Sequence, residues 1–500
     1  MIRFEIKSNE FSYDLKALAL NFFPEKTCDV VQKEEWQESP GYPIRCEMDG
    51  REILCEDLPE GYSKNSVKAL VYLCFVKKSG HTLPWGILTG IRPAKIPLRM
   101  RMEGRGREEI ASCLREEYLV SEPKVRLALD VAEREYELTK SFDHENGFNL
   151  YIGIPFCPSI CQYCSFSSYD YHRYAGQAED YLTALEKEIR YTANFFAREK
   201  FAARELHTIY VGGGTPTALN EGQLQRLMDM IRRYLPVADS AEFTVEAGRP
   251  DSITADKLRI LKEAGVTRIS VNPQTMKQQT LELLGRRHTV EQVRETFHLA
   301  REAGFDNINM DLIVGLPGEG EEDFIRTLNE VCALGPDSVT IHTLVIKRAS
   351  RMRREQMEQG AEMNPEDALI PVLQAASEKF LREQGYEPYY MYRQKNKAGT
   401  TRNTNQENVA YARPGKECLY NIFIMEELET IVALGSGGST KHVIHGENRM
   451  ERVENVKSVE DYITRIDEMI ERKEREFKNG FKEETNHRNE GYFTKGDGGP

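Results

Sequence analysis

The sequence predicts an α/β protein built around an incomplete (β/α)6 barrel, open on one side, with an N-terminal α+β domain and a C-terminal extension. Three observations carry this. From about residue 148, six short β-rich runs alternate with helix-length amphipathic segments, the pattern of βα units around a parallel sheet. Two of the units nearly repeat, with their helix-stop glycines Gly265 and Gly304 39 positions apart. Residues with chemical character also fall where the strands end, which is where barrel enzymes place their active sites.

Residues 1–145 form the N-terminal domain. They mix short apolar runs, "ILCEDL" and "VKALVYLCFV", with two charged helical stretches, of which "EPKVRLALDVAEREYELTKSF" leads into the barrel. In "PWGILTGIRPAKI" turn-forming Gly and Pro surround Arg92, which reads as a structural anchor. The barrel, residues 146–390, has its strands at "FNLYIGI", "LHTIYV", "EFTVEA", "TRISVN", "NINMDLIV" and "SVTIHTLV". The near-repeats "TADKLRILKEAGVTRISV" and "TVEQVRETFHLAREAGFDNINM" each begin at a Thr suited to N-capping. Thr289 and Gln292 have the capping-box spacing, and Gly265 and Gly304 suit the left-handed residue that ends a helix. Residues 391–478 form a substrate-covering region with the glycine-rich turn "LGSGGST" and the amphipathic helix "SVEDYITRIDEMIERKERE". Residues 479–500 are polar, glycine-rich and aperiodic, and are expected to be a disordered tail.

Of the 500 residues 40% are hydrophobic and 29% charged, as in an ordinary globular protein, and no apolar run approaches the roughly 20 residues that span a bilayer. The N-terminus "MIRFEIKSNEFSYDL" lacks the apolar core of a secretory signal, so a cytoplasmic protein is expected. The net charge of -13, with basic residues interspersed among acids, argues against a nucleic-acid binder.

The strand ends carry the chemistry. After the first comes a loop with Cys157, Cys161 and Cys164, and after the second comes "GGGTPT". Glu246 ends the third, Gln274 follows the fourth, and Asp311 lies in the fifth ahead of "GLPGE". Closed zinc and iron–sulfur sites use four protein ligands. Three thiolates at Cys-x3-Cys-x2-Cys can hold three irons of a cubane and leave the fourth open to a ligand. His172, the nearest further zinc ligand, has no metal spacing and reads as a solvated loop residue. A disulfide fits neither the odd count nor a reducing compartment. The other seven cysteines are scattered and read as small buried hydrophobes.

The Cys-x3-Cys-x2-Cys loop, with Tyr163 before its last cysteine, resembles the cluster loop of radical S-adenosylmethionine (SAM) enzymes. "YIGIPFC" and "CQYCSF" are similar to the oxygen-independent coproporphyrinogen III oxidase branch, and "GGGTPT", "LGRRHT" and "NMDLIVGLPGE" resemble later stations in the same order. The N-terminal region, "EAGRPD" and "QENVAYARPGKE" look most like the coproporphyrinogen dehydrogenase subgroup called HemZ. The resemblance implies that Cys157, Cys161 and Cys164 hold a [4Fe-4S] cluster whose open iron binds S-adenosyl-L-methionine. Gly213, Gly214 and Thr215 match the glycine-rich cofactor segment, Tyr151 and Tyr163 its aromatic contacts, and Glu246, Gln274, Arg286 and Asp311 its polar ones. In the resembling enzymes a 5'-deoxyadenosyl radical takes a hydrogen from a propionate side chain, and loss of CO2 and an electron leaves a vinyl group. Coproporphyrinogen III becomes protoporphyrinogen IX, with a flavodoxin or ferredoxin supplying low-potential electrons. A tetrapyrrole with four carboxylates calls for local cations, for which Arg249, Arg287, Lys347, Arg348, Arg393 and Lys395 are the candidates. Gly153 and Phe166 stand where the oxidases commonly carry a histidine and a fourth cysteine. The family also contains haem-binding, haem-delivering members without dehydrogenase activity, which is the alternative reading.

Overall fold

The computed structural model describes residues 1–164, 168–198, 204–344, 369–394, 407–445 and 449–490, with side chains described as far as residue 478. Two compact units form. Residues 1–140, 312–329 and 338–417 make one, and residues 141–311, 330–337 and 418 onwards make the other.

The chain opens with β1 (Ile2–Ile6), α1 (Ser12–Phe22), β2 (Cys28–Gln32), β3 (Tyr42–Met48), β4 (Arg51–Leu58) and α2 (Lys64–Ser79). These strands pair in the order β2-β1-β3-β4, with β1 and β2 parallel and the other pairs antiparallel. Period-two burial along β3 turns one face inward, where Phe4, Ile44, Leu15, Val71 and Phe75 share a core. The α+β character expected of this region is what the chain adopts. Helices α3 (Lys95–Met102), α4 (Arg107–Glu116) and α5 (Glu122–Thr139) follow.

Next come β5 (Gly147–Ile154), β6 (Phe156–Cys157), β7 (Tyr169–Asp170), α6 (Tyr171–Phe196), β8 (Glu205–Gly213), α7 (Glu221–Tyr234) and β9 (Glu242–Gly248). The series continues with α8 (Ala255–Glu263), β10 (Arg268–Val271), α9 (Gln278–Leu283), α10 (Val290–Glu302) and β11 (Ile308–Val314). Strands β5, β8, β9, β10 and β11 pair in that order, all parallel. The expected start and stop signals hold. Thr289 and Gln292 form a reciprocal capping box, and Gly265 and Gly304 have φ of 90° and 85°.

The rest of the chain comprises α11 (Glu321–Leu334), β12 (Ser338–Thr343), α12 (Ile370–Glu383), β13 (Glu387–Arg393) and β14 (Glu407–Ala412). It ends with α13 (Leu419–Glu426), β15 (Thr430–Leu434), β16 (Ser439–Ile444), β17 (Arg449–Glu454), α14 (Val459–Thr464) and α15 (Ile466–Glu490). All six strands read from the sequence are present as β5 and β8 to β12, and among the described residues the sheet does not close into a barrel.

Three features depart from the expected layout. Strand β15 pairs in parallel with β5, and β16 and β17 extend that edge antiparallel, so the C-terminal region supplies strands to the sheet. The compact units do not follow the boundaries 1–145, 146–390 and 391–478, because residues 84–124 are bonded to β13 and β14. Trp85 Nε1 and Lys124 Nζ each lie 2.6 Å from the Glu407 carboxylate, and Arg393 Nη1 donates to Leu88 O at 2.5 Å. Finally, the backbone stays helical to Glu490, past the 478 boundary where a disordered tail was expected to begin.

Candidate active site

The polarity of the strands shows where a ligand belongs. One set of alternate positions is apolar: Leu150 and Ile152 on β5, Ile209 and Val211 on β8, Phe243 and Val245 on β9. The other set carries Asn149, Tyr151 and Gly153, then Thr208, Tyr210 and Gly212, then Glu242, Thr244 and Glu246. Register aligns Tyr151 with Tyr210 and Tyr210 with Thr244, so these residues share one face. Their side chains bond to one another: Thr208 Oγ1 donates to Asn149 Oδ1 at 2.6 Å, and Tyr210 Oη to Glu246 Oε1 at 2.5 Å. Buried parallel strands are ordinarily apolar on both faces. Desolvating this many polar groups makes sense around a polar ligand.

Burial pushes the Glu246 carboxyl up to about 7, reinforced by Asp311 and partly offset by the Tyr210 hydroxyl and the Gly213 amide. Above it the backbone is bare. A Cβ on Gly212 would lie 2.8 Å from the Glu246 carboxyl carbon, and one on Gly214 only 2.5 Å from Phe156 O. Gly213 has φ of 106°, a conformation open to glycine and costly for other residues. Glycines here let the end of β8 pack directly against Glu246, Tyr151 and the Ile154–Phe156 backbone.

The cysteine loop is held at both ends. Strands β6 and β7 pair Phe156 with Tyr169 and Cys157 with Asp170, closing its base. The Gln162 amide donates to Leu284 O at 3.0 Å, and the Cys164 amide to Cys161 O at 3.1 Å. Thr215 Oγ1 donates to Cys157 Sγ at 3.7 Å. Two buried guanidiniums approach Cys161 Sγ, Arg249 at 3.4 Å and Arg286 at 3.8 Å. Arg286 also donates to Tyr163 Oη at 3.2 Å and to Asn272 O at 2.5 Å. From there the network reaches the strand ends: the Asp311 amide donates to Asn272 Oδ1, and the Gln274 amide to Asp311 O at 2.9 Å. Gln274 is left-handed, with φ of 70°, a strained state typical of functional positions.

The structure therefore links Cys157, Cys161, Tyr163, Thr215, Gln274, Arg286 and Asp311 through the loop and its neighbours, and places Tyr151 and Glu246 on the polar face, with Gly213 and Gly214 at the end of β8 beside them. Cys164 lies on the same loop, its Sγ 3.8 Å from Ser168 Oγ. The donor set fits an iron–sulfur cluster. Three soft thiols share one loop, beside fixed cations that offset thiolate charge. Among the described residues no three His, Cys, Asp or Glu side chains converge on a single metal position. His172 is exposed, as expected, but lies in the first turn of α6 behind the Asp170 cap rather than in a loop.

Two candidate tetrapyrrole anchors are otherwise engaged: Arg249 on the cysteine loop and Arg393 on Leu88 O. Arg287 is exposed. Lys347, Arg348, Lys395 and Phe166 lie outside the described residues. The structure adds Tyr210 and Tyr420, whose rings stack 4.5 Å apart at 22°, with Tyr151 6.3 Å from Tyr420. The Tyr420 hydroxyl is buried and has no hydrogen-bond partner among the described residues. Tyr210 was legible as an inward position two residues before the glycine run. Nothing local marks Tyr420, which enters from α13.

This fold and this site define a radical SAM protein, and residues 151–331 match the Radical SAM superfamily. The chain belongs to the family of oxygen-independent coproporphyrinogen-III oxidase-like proteins. It is 38% identical over 413 residues to the oxidase-like protein HemZ of Bacillus subtilis, covering 82% of this chain and 80% of that one. It is 41% identical over 225 residues to the heme chaperone HemW of the same organism, which covers 43% of this chain and 57% of that protein. Among solved structures, coproporphyrinogen III oxidase HemN from Escherichia coli, a radical SAM enzyme, superposes with a TM-score of 0.50 at 25% identity, over 65% of this chain and 70% of that one. The cofactors of this class are a [4Fe-4S] cluster and SAM. No described helix is long and apolar enough to cross a membrane.

Proposed function

We propose that the protein catalyses oxygen-independent oxidative decarboxylation of coproporphyrinogen III to protoporphyrinogen IX in haem biosynthesis. The observation that carries this reading is a cysteine loop with neighbouring residues suited to a radical cofactor, in a chain whose likeness to an oxidase-like relative extends beyond the barrel. The 413 aligned residues exceed the 355 of residues 146–500 (500 minus 145), so that likeness reaches into the N-terminal domain.

Cys157, Cys161 and Cys164 would hold the cluster. Gly213, Gly214 and Thr215 would lie along the methionine end of SAM, with Tyr151 and Tyr163 as its aromatic contacts. Glu246, Gln274, Arg286 and Asp311 would orient its polar groups, Glu246 as an acceptor once deprotonated. When bound, cluster and cofactor would supply the hydrogen-abstraction chemistry needed at a propionate side chain. The protein's further tasks are to hold the propionate in reach and exclude water, which suits the enclosed polar face. A low-potential flavodoxin or ferredoxin would donate electrons, in the cytoplasm.

The haem-delivery reading is favoured by one observation, the 41% identity to a heme chaperone, which spans just over half of that protein. Both are tested by anaerobic reconstitution with iron and sulfide, then incubation with dithionite, SAM and coproporphyrinogen III. Protoporphyrinogen with methionine and 5'-deoxyadenosine supports the dehydrogenase. SAM cleavage without a vinyl product removes the substrate assignment, and tight haem binding without turnover supports the carrier.

A further inference from the structure

Arg249 was expected to meet a substrate carboxylate, yet all five of its N–H donors are already committed. Nε and Nη2 grip the Asp251 carboxylate at 2.9 and 2.8 Å. Nη2 also donates to Ser159 Oγ at 3.0 Å, and Nη1 to Ser159 O at 3.2 Å and to Cys161 Sγ at 3.4 Å. Arg249 is 4% exposed, so neither substrate nor solvent competes for it. A guanidinium stays charged under all ordinary conditions. The geometry therefore fixes a desolvated positive charge against one sulfur of the cysteine loop.

Cys161 Sγ meets Arg249 and, at 3.8 Å, Arg286; Cys157 Sγ accepts from the Thr215 hydroxyl, and Cys164 Sγ lies near the Ser168 hydroxyl. Behind Arg249 the Asp251 carboxylate carries the opposing charge. Burial works against its ionisation, and His288 and Arg249 more than reverse that, holding it well below the usual range. The arrangement is sulfur, cation, anion, in that order.

Iron–sulfur potentials respond to net charge, to hydrogen bonds on the sulfurs and to solvent exposure. Reduction adds an electron to the cluster, so a cation touching a ligand sulfur stabilises the reduced form more than the oxidised form. An anion one layer further out opposes it. We propose that Arg249 is a positioning residue that raises the reduction potential of the cluster through Cys161, and that Asp251 trims this effect. The inference rests on the reading that Cys157, Cys161 and Cys164 hold a [4Fe-4S] cluster.

The test is an EPR-monitored redox titration of reconstituted full-length protein. At a fixed solution potential, Arg249→Met is expected to lower the ratio of reduced to oxidised cluster about tenfold, equivalent to about 59 mV for a one-electron couple. Asp251→Asn is expected to raise that ratio, and Arg249→Lys to fall between wild type and Arg249→Met. A purely structural role for the ion pair does not produce shifts of opposite sign. Unmoved potentials, or shifts in the same direction for Arg249→Met and Asp251→Asn, overturn the inference and leave the cluster reading standing. If Arg249→Met retains no cluster, the sign of the Asp251→Asn shift decides alone. A wild-type protein that assembles no cluster from iron and sulfide overturns both.

Discussion

Tyr210 donates its hydroxyl to Glu246 at 2.5 Å on the polar face of the barrel strands. Burial would keep Glu246 protonated well above the ordinary carboxylate range, and this bond draws it back to about 7. Glu246 is thereby poised to change charge near neutral pH.

If Glu246 accepts from SAM hydroxyls, binding should strengthen as pH rises through about 7 and level off above it. Equilibrium dialysis of SAM between pH 6 and 9 measures this. Tyr210→Phe removes a group that lowers the Glu246 pKa, so the onset should move to higher pH. An unmoved onset would separate Glu246 from cofactor binding.

Glu188 and Lys473 are both fully buried and meet at 2.6 Å. Glu188 also accepts from the Gly435 amide and from Asn455, and Tyr181 ties Gly153 O to the Ser436 amide. Helix α15 is thus pinned to the turn after β15. Lys473→Met strands a buried carboxylate and should cost about 3–5 kcal/mol in denaturant unfolding. The double variant Glu188→Gln/Lys473→Met should recover much of that, because no lone charge remains.

Glu429 is buried with His144 Nδ1 at 2.8 Å and His207 Nδ1 at 3.0 Å. Burial opposes charge on Glu429 and His207, but their contact outweighs it, holding Glu429 low and His207 high. The carboxylate contributes stability above its unfolded value of about 4.3 and loses it as pH falls through the folded value. The imidazole contributes below about 6.5 and loses it as pH rises through its raised folded value. The joint contribution is largest between those pH values. Glu429→Gln should flatten the profile of Tm against pH at both ends, which differential scanning calorimetry reads directly.

Gly214→Ala would set a methyl 2.5 Å from Phe156 O and 2.9 Å from Ile154 O, both backbone atoms that cannot swing aside. A loss of about 1–3 kcal/mol is expected, with weakened SAM retention. Gly222→Ala is the control. Its methyl meets only Asn220 Oδ1 at 3.5 Å within α7, so stability should hold or rise by up to about 1 kcal/mol.

Cys161→Ala should abolish the visible absorption of the reconstituted cluster, whereas Cys418→Ala, buried against Glu242, should leave it intact. Equal iron contents in the two variants would mean that Cys161 is not a ligand.

The sequence by itself determined whatever depends on short range. Short β-rich runs between helix-length amphipathic segments marked the six strands, a Thr with a Gln three residues on marked the start of α10, and glycines marked helix ends. The loop with Cys157, Cys161 and Cys164 carried the family resemblance that implies the cofactor chemistry, because thiolates on one short loop are local in sequence. Tertiary structure alone decided the partners. Arg249 stands 88 positions from Cys161, and its charge could equally have served a substrate until the fold spent all five donors on the loop and Asp251. Strand β15 joined β5, and residues 84–124 joined β13 and β14, through pairings that leave no periodic trace. Local patterns record how a segment buries one face; which distant segment covers that face is settled only when the whole chain packs.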